Sequence, residues 1–153
     1  MDALQLLEQD HRKVKILFQE AKDAKDSAQK RHIFDRIDTE LEIHTHIEET
    51  VFYPAIQKRD EFKEMVAEAL EEHQEAKTLI DELEELVSDD DEFSSTLDEL
   101  IEAVEHHVEE EEGEMFPKIR ELFDQGQLDQ LGHEMESAKG SAHRQTQWSA
   151  GPA

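Results

Sequence analysis

The sequence has no cysteine, only three prolines and five glycines in 153 residues, and few basic side chains, 16 lysines and arginines against 41 aspartates and glutamates. The missing thiols exclude disulfides, iron–sulfur clusters and thiolate zinc sites, and they suit a reducing compartment. The deficit of positive charge leaves a formal charge of −25. Such a surface repels phosphate backbones and anionic lipid, so neither nucleic acid nor a membrane surface is an expected partner. No apolar run approaches the ~18 residues of a membrane span, and the opening MDALQLLEQD has no basic stretch leading into an apolar one. A soluble, cytoplasmic protein is expected. Disorder would also explain so much charge. Against it, leucine, isoleucine, valine and phenylalanine recur at helical spacing, and no proline or glycine interrupts the first 50 residues.

The 3.6-residue period predicts five helices and no strand of useful length. The first runs from about Asp2 to Lys22, with Asp2 and Gln5 in capping-box positions and an apolar stripe Leu4, Leu7, Val14, Phe18, Ala21. The second, from about Ser27 to the region of Pro54, carries Phe34, Ile37, Leu41 and Val51. The third, from about Phe62 to Val87, carries Val66, Ala69, Leu70, Ala76, Ile80, Leu83 and Val87. The fourth follows the acidic loop Ser88–Glu92, runs to Pro117 or on to Phe123, and carries Leu97, Leu100, Val104 and Met115. Proline is expected to end or kink the second and fourth. A shorter helix is expected near Leu128–Ala138. The fold class expected is all-α: an up-down-up-down four-helix bundle over residues 1–124, an accessory C-terminal helix over 125–143 and a mobile tail over 144–153.

The two halves repeat. Asp10-His11, with Lys15 beyond, matches Glu72-His73 with Lys77. His44-x-x-x-Glu48-Glu49-x-x-x-Tyr53-Pro54 matches His107-x-x-x-Glu111-Glu112-x-x-x-Phe116-Pro117. Phe34, Ile37 and Leu41 match Leu97, Leu100 and Val104. One pair of helices has been used twice. His11, His44, Glu48, His73, His107 and Glu111 all fall on the apolar stripes. Each helix therefore aims an imidazole at the core, and two add a carboxylate one turn further on. Buried carboxylates are paired or bind metal, and no lysine or arginine lies on those stripes, so metal ions supply the missing charge most simply. At 1.5 Å per residue, the four histidines lie ~12–17 Å from one end of an antiparallel bundle, which brings all six groups into one layer.

In these residues, over about Ala3 to Phe123, the chain resembles the hemerythrin-like, or HHE cation-binding, family. The resemblance implies a non-haem di-iron centre: Glu48 and Glu111 bridging, His11 and His44 on one iron, His73 and His107 on the other, and an oxo, hydroxo or water bridge completing it. Oxygen-carrying hemerythrins have a fifth histidine one turn after the one in the third helix. Here that position is Lys77. The departure disfavours a stable oxygen carrier and leaves open positions for oxygen, hydrogen peroxide or nitric oxide. Two functions stand in competition: a di-iron protein that decomposes peroxide or turns over nitric oxide, and a non-enzymatic module that binds or senses oxygen or holds iron. A metal-free acidic interaction module fits the polar layer poorly. No electron donor is identified.

The remaining polar residues have plainer readings. Glu49 and Glu112 lie about 100° further round their helices and read as surface. His46, His106, His32, His133 and His143 read as surface too. Lys15 and Lys77 extend to solvent, or else line a small-molecule channel. Tyr53 reads as packing near a helix end. Glu8-x-x-His11 has the ferritin-type spacing, but it is not repeated and is set aside.

Overall fold

The structure is a computed structural model that describes residues 1–87 and 91–149, with residues 143–149 described by backbone alone. The expected acidic loop falls partly at Ser88–Asp90, outside the described residues, as do the last residues of the tail and the side chain of His143. Among the described residues there are seven α-helices: α1 (Ala3–Asp23), α2 (Ser27–Ile47), α3 (Tyr53–Ile56), α4 (Lys63–Glu85), α5 (Asp91–Glu110), α6 (Phe116–Leu122) and α7 (Gln125–Ser149). Among the described residues there is no strand, and no helix is long and apolar enough to cross a membrane. The fold is an up-down-up-down four-helix bundle, in which α2 runs on into α3 and α5 runs on into α6.

The start of α1 is fixed as the sequence predicts. Asp2 Oδ1 accepts from the Gln5 N–H at 2.8 Å, and Gln5 Oε1 accepts from the Asp2 N–H at 3.0 Å. A cap of this kind contributes about 1 kcal/mol. The prolines do not end their helices. Each follows a widened π-helical turn, Glu48–Phe52 or Glu111–Met115, closed by the Tyr53 N–H on the Glu48 carbonyl and the Phe116 N–H on the Glu111 carbonyl. Pro54 and Pro117 have no N–H to give, and their rings crowd the carbonyls four residues back. The extra residue in each turn relieves that conflict, and the helix continues.

Two apolar clusters fill the bundle. One gathers Leu4, Leu7, Ile47, Ile56, Phe62, Val66 and Ile119. The other gathers Val14, Phe18, Phe34, Ile37, Leu83, Leu97 and Leu100 at the opposite end. Full burial of side chains of this size contributes about 1.5–3 kcal/mol each. Two residues of the expected third stripe lie outside this core. Leu70 is 40% exposed beside a cleft, and Val87 is 61% exposed because α4 ends at Glu85. The C-terminal helix is longer than its apolar pattern suggests and packs along α1 and α2. Its Leu128, Leu131, Met135 and Ala142 join the first cluster. Gly132 lies so close to the N-terminal backbone that a Cβ there would stand 2.5 Å from the Met1 carbonyl oxygen.

Candidate metal centre

A polar layer separates the two apolar clusters. It holds Asp10, His11, His44, Glu48, His73, His107 and Glu111, all buried, with Glu48 wholly out of solvent. The structure thus brings together all six residues picked out by the repeat. The imidazoles pair by hairpin: His11 and His44 have ring centroids 5.0 Å apart, His73 and His107 4.9 Å apart. Glu111 lies between the pairs, with Oε1 3.2 Å from His11 Nε2 and Oε2 3.3 Å from His107 Nε2. Glu48 Oε1 is 3.3 Å from His44 Nε2 and 3.0 Å from His73 Nε2.

Four of these buried atoms, His11 Nε2, His44 Nε2, Glu48 Oε2 and Glu111 Oε1, have no hydrogen-bond partner. The His11–Glu111 and His44–Glu48 approaches have the distance of a hydrogen bond without its alignment. Donor atoms of His11, His44, Glu48 and Glu111 lie within 4.8 Å of one another, and those of Glu48, His73 and His107 do likewise. Lone pairs converging on shared points, buried and unpartnered, are the arrangement of a metal site, and the residues fit one.

The electrostatics point the same way. Burial alone would raise the Glu48 carboxyl, yet the charge of His44 and hydrogen bonds from its neighbours hold it well below the ordinary range. Burial works against charging His44, but Glu48 and Asp10 push it up to about 10. His107 and His73 are raised as well, against their own burial, chiefly by Glu111 and Glu48 respectively. The layer draws in positive charge, and imidazoliums provide it when no cation does.

Each of the four imidazoles also gives its other nitrogen to a carboxylate. His11 Nδ1 lies 2.6 Å from Glu112, His44 Nδ1 3.2 Å from Asp10, His73 Nδ1 2.8 Å from Glu49 and His107 Nδ1 2.6 Å from Glu72. An ionised carboxylate can only accept, so each Nδ1 carries a proton, and each Nε2 is left facing the centre, where a bound cation would take the place of the second proton of an imidazolium. The pattern follows the repeat. Asp10 and Glu72 serve the second histidine of their own hairpin, and Glu49 and Glu112 cross to the first histidine of the other. The surface reading of Glu49 and Glu112 is therefore incomplete. They are 44% and 41% exposed, but one oxygen of each reaches inward. The signal for all four lay in the repeated Asp10-His11/Glu72-His73 and Glu48-Glu49/Glu111-Glu112 dipeptides.

Tyr53 packs in the first apolar cluster near a helix end, as expected, but it also reaches the polar layer. It is 1% exposed, and its hydroxyl donates to Glu111 Oε2 at 2.5 Å, within 3.4 Å of His73 Nε2 and 3.5 Å of His107 Nε2. Burial and the nearby Glu48 and Glu111 push its ionisation well above the usual phenol range, so it stays a proton donor. Its counterpart Phe116 stacks on His11 at 6.1 Å. His46 and His106 are exposed, as expected, and so are His32 and His133.

A cleft of about 590 Å³ opens between α2 and α4 and reaches all four imidazoles. Carboxylates of Asp38, Glu42, Glu49, Glu72, Asp81 and Glu84 line it. Lys77 is exposed and stands on its wall.

Residues 2–119 match the hemerythrin HHE cation binding domain. The chain belongs to the hemerythrin HHE cation-binding family. Two curated relatives agree in part. A DNA nickase of Nostoc sp. (strain PCC 7120 / SAG 25.82 / UTEX 2576) is 30% identical over 140 residues, 91% of this chain and 39% of that protein. An uncharacterised hemerythrin-like protein of Schizosaccharomyces pombe is 33% identical over 110 residues, 71% of this chain and 54% of that one. The HHE chain thus spans about half, or less, of the length of these relatives. A hemerythrin HHE cation binding domain-containing protein from Mycobacterium kansasii has a crystal structure that superimposes with a TM-score of 0.86 over 97% of this chain and 91% of that one. At 23% identity that likeness speaks for the fold alone. The helical bundle and the clusters of buried histidine and glutamate mark this HHE domain as a metal-binding module.

Proposed function

We propose that the chain holds two iron ions in the polar layer and uses them to react with a small oxidant: oxygen, hydrogen peroxide or nitric oxide. The observation that carries this is the convergence of four Nε2 atoms and two shared carboxylates, four of whose donor atoms are buried without partners. Imidazole with carboxylate, and no thiolate, suits iron. On this reading His11 and His44 hold one ion, His73 and His107 the other, and Glu48 and Glu111 bridge, with an oxo, hydroxo or water bridge between the metals. The positions of Glu111 between His11 and His107, and of Glu48 between His44 and His73, support that division.

When bound, iron supplies one-electron redox chemistry towards the oxidant. The protein does the rest. The four outer carboxylates fix the tautomer and angle of each ring. The two apolar clusters keep bulk water from either end of the layer. Tyr53 keeps a proton at its hydroxyl oxygen, beside Glu111. Lys77 stands exposed where oxygen carriers place a fifth histidine, so an ion held by His73 and His107 would lack that ligand beside the cleft by which reactants would enter. That favours turnover over reversible carriage. The nicking activity named for the Nostoc relative is not carried over: most of that protein lies outside the match, and a formal charge of −25 repels DNA.

Metal analysis of protein from iron-replete cells, followed by absorbance under anaerobic conditions and after oxygen or peroxide, tests the reading. About two irons per chain and catalytic consumption of peroxide are expected. A single mononuclear site defeats the bridging assignment. Two irons with reversible oxygen binding and untouched peroxide make the protein an oxygen-binding or sensing module instead.

A further inference from the structure

Of the four carboxylates that hold imidazoles, Asp10 differs from the others. It is 6% exposed, and it carries a second partner, the Lys139 ammonium, which donates to Asp10 Oδ1 while His44 Nδ1–H donates to Oδ2. Among the described residues no lysine or arginine pairs with Glu49, Glu72 or Glu112. Lys139 comes from α7, beyond residue 119, where the match to the family ends.

The lysine lies on the buried stripe of α7. Leu128, Gly132, Met135, Lys139 and Ala142 follow one another at three- and four-residue steps, and the other four are buried against the bundle. An ammonium on that stripe needs a carboxylate facing it, and Asp10 faces it from the buried side of α1. The register of the pair is fixed from elsewhere. Gly132, two turns before Lys139, seats on the Met1–Ala3 backbone, and Gln125 donates to Asp2 at 3.1 Å.

We infer that α7 is a working part of the metal centre, in which Lys139 is a positioning residue that holds Asp10 against His44 and so makes the His11–His44 metal position, and only that one, depend on the C-terminal helix. The inference rests on the proposed two-ion reading. Asp10 accepts from two sides of a buried interface. Without the ammonium, its carboxylate gains more by turning to water than by staying on the ring. His44 then loses the contact that aims its Nε2. The His73–His107 position has no such dependence, because its carboxylates Glu49 and Glu72 do not meet α7: Glu49 is 44% exposed, and the outer oxygen of Glu72 lies 3.9 Å from His106 Nε2.

The test is release of ferrous ion, loaded anaerobically at two per chain, into excess chromophoric ferrous chelator, followed by absorbance. Lys139→Met, which keeps the length of the side chain, is compared with Lys139→Arg, which keeps the charge. Loss of a contact that orients a metal-ligating histidine costs about 10–100-fold in affinity. One of the two ions should therefore leave Lys139→Met at least about tenfold faster, the other at its original rate, and Lys139→Arg should restore the slow release. Asp10→Asn should speed up the same single ion and serves as the second variant if Lys139→Met folds poorly. Unchanged release in both variants, equal acceleration of both ions, or no rescue by arginine overturns the inference while leaving the two-ion reading intact. An unsubstituted protein that never takes up two ions overturns both.

Discussion

The two hairpins of the bundle carry the same histidines and glutamates and surround them differently. On the His11–His44 side, an apolar ring, Phe116, stacks on His11, and the carboxylate behind His44 is sealed in by a lysine from α7. On the His73–His107 side, the residue matching Phe116 is Tyr53, whose hydroxyl enters the layer. There the carboxylate behind His107, Glu72, is partly open to water and also lies near the exposed His106. The repeat supplies two equal sets of histidine and glutamate, and the residues behind them make one side apolar and braced by a lysine, the other protic, while the cleft reaches both. In the proposed function, the His73–His107 side, which lacks a fifth histidine, is where an oxidant meets iron.

The largest break in this comparison comes from the residues that belong to neither side. Glu111→Ala removes a carboxylate shared by both imidazole pairs, and iron should fall from about two to below one per chain. Glu112→Ala removes only the partner of His11, so both ions should still load, one of them about 10–100-fold more weakly. Iron content and chelator titration measure the contrast, and equal losses would mean that Glu111 is not shared. A smaller change makes the two sides alike. Tyr53→Phe removes a buried hydrogen bond to a charged acceptor, worth about 1.5–3 kcal/mol, and should lower Tm of the metal-free protein by several degrees. A Tm that does not move would show the hydroxyl to be dispensable to the fold. Lys77→His sharpens the difference the other way. It offers the His73–His107 side an imidazole one turn from His73, and stopped-flow absorbance at equal iron content should show slower peroxide consumption than in the unsubstituted protein.

The smallest effect lies away from the layer, in the cleft wall. Burial, with Glu84, Glu42 and Asp35 close by, pushes the Asp38 carboxyl up to about 7. The folded chain therefore holds a proton that the unfolded chain has released above about 4. Stability contributed by this group is greatest below about pH 4, falls as pH rises, and levels off above about 7. Asp38→Asn should gain on the parent across that window. Its advantage at neutral pH should stay within about 2–4 °C, since the site is half open and screened. Thermal melts of both proteins from pH 4 to 8 check it, and a constant offset would discount the shift.

How far the sequence disclosed this site depended on periodicity. The six inner residues were legible because each sits on an apolar stripe and each recurs in the second half. The four outer carboxylates recur as well, but Glu49 and Glu112, half exposed and half engaged, leave only a surface signature in a hydrophobic pattern. The part of Tyr53 that the pattern hides, its hydroxyl in the layer, is hidden for a geometric reason. Five residues after Glu48 on a regular helix, it would point about 140° away. The widened turn between them sets everything beyond it back by about one residue, and that rotation brings the phenol inside. Such a turn has no hydrophobic period of its own, and only the following proline hints at it. Leu70 and Val87 failed in the opposite sense, because a stripe read at constant period assumes a helix and a neighbour along its whole length. Lys139 stayed hidden because its partner lies 129 residues earlier, on another helix.

The cleft between α2 and α4 acts on whatever diffuses towards the layer. Six carboxylates facing a single ammonium among the described residues make a negative mouth with low-dielectric walls, which concentrates cations and depletes anions. Uncharged reactants such as hydrogen peroxide or a diatomic gas cross it without penalty, whereas superoxide, nitrite or azide meet a barrier. Added salt lowers that barrier as the Debye length shrinks to ~10 Å at 0.1 M. The same mouth therefore sorts by sign: loading by a divalent metal should slow as ionic strength rises, inhibition by azide should quicken, and the rate with peroxide should hardly change.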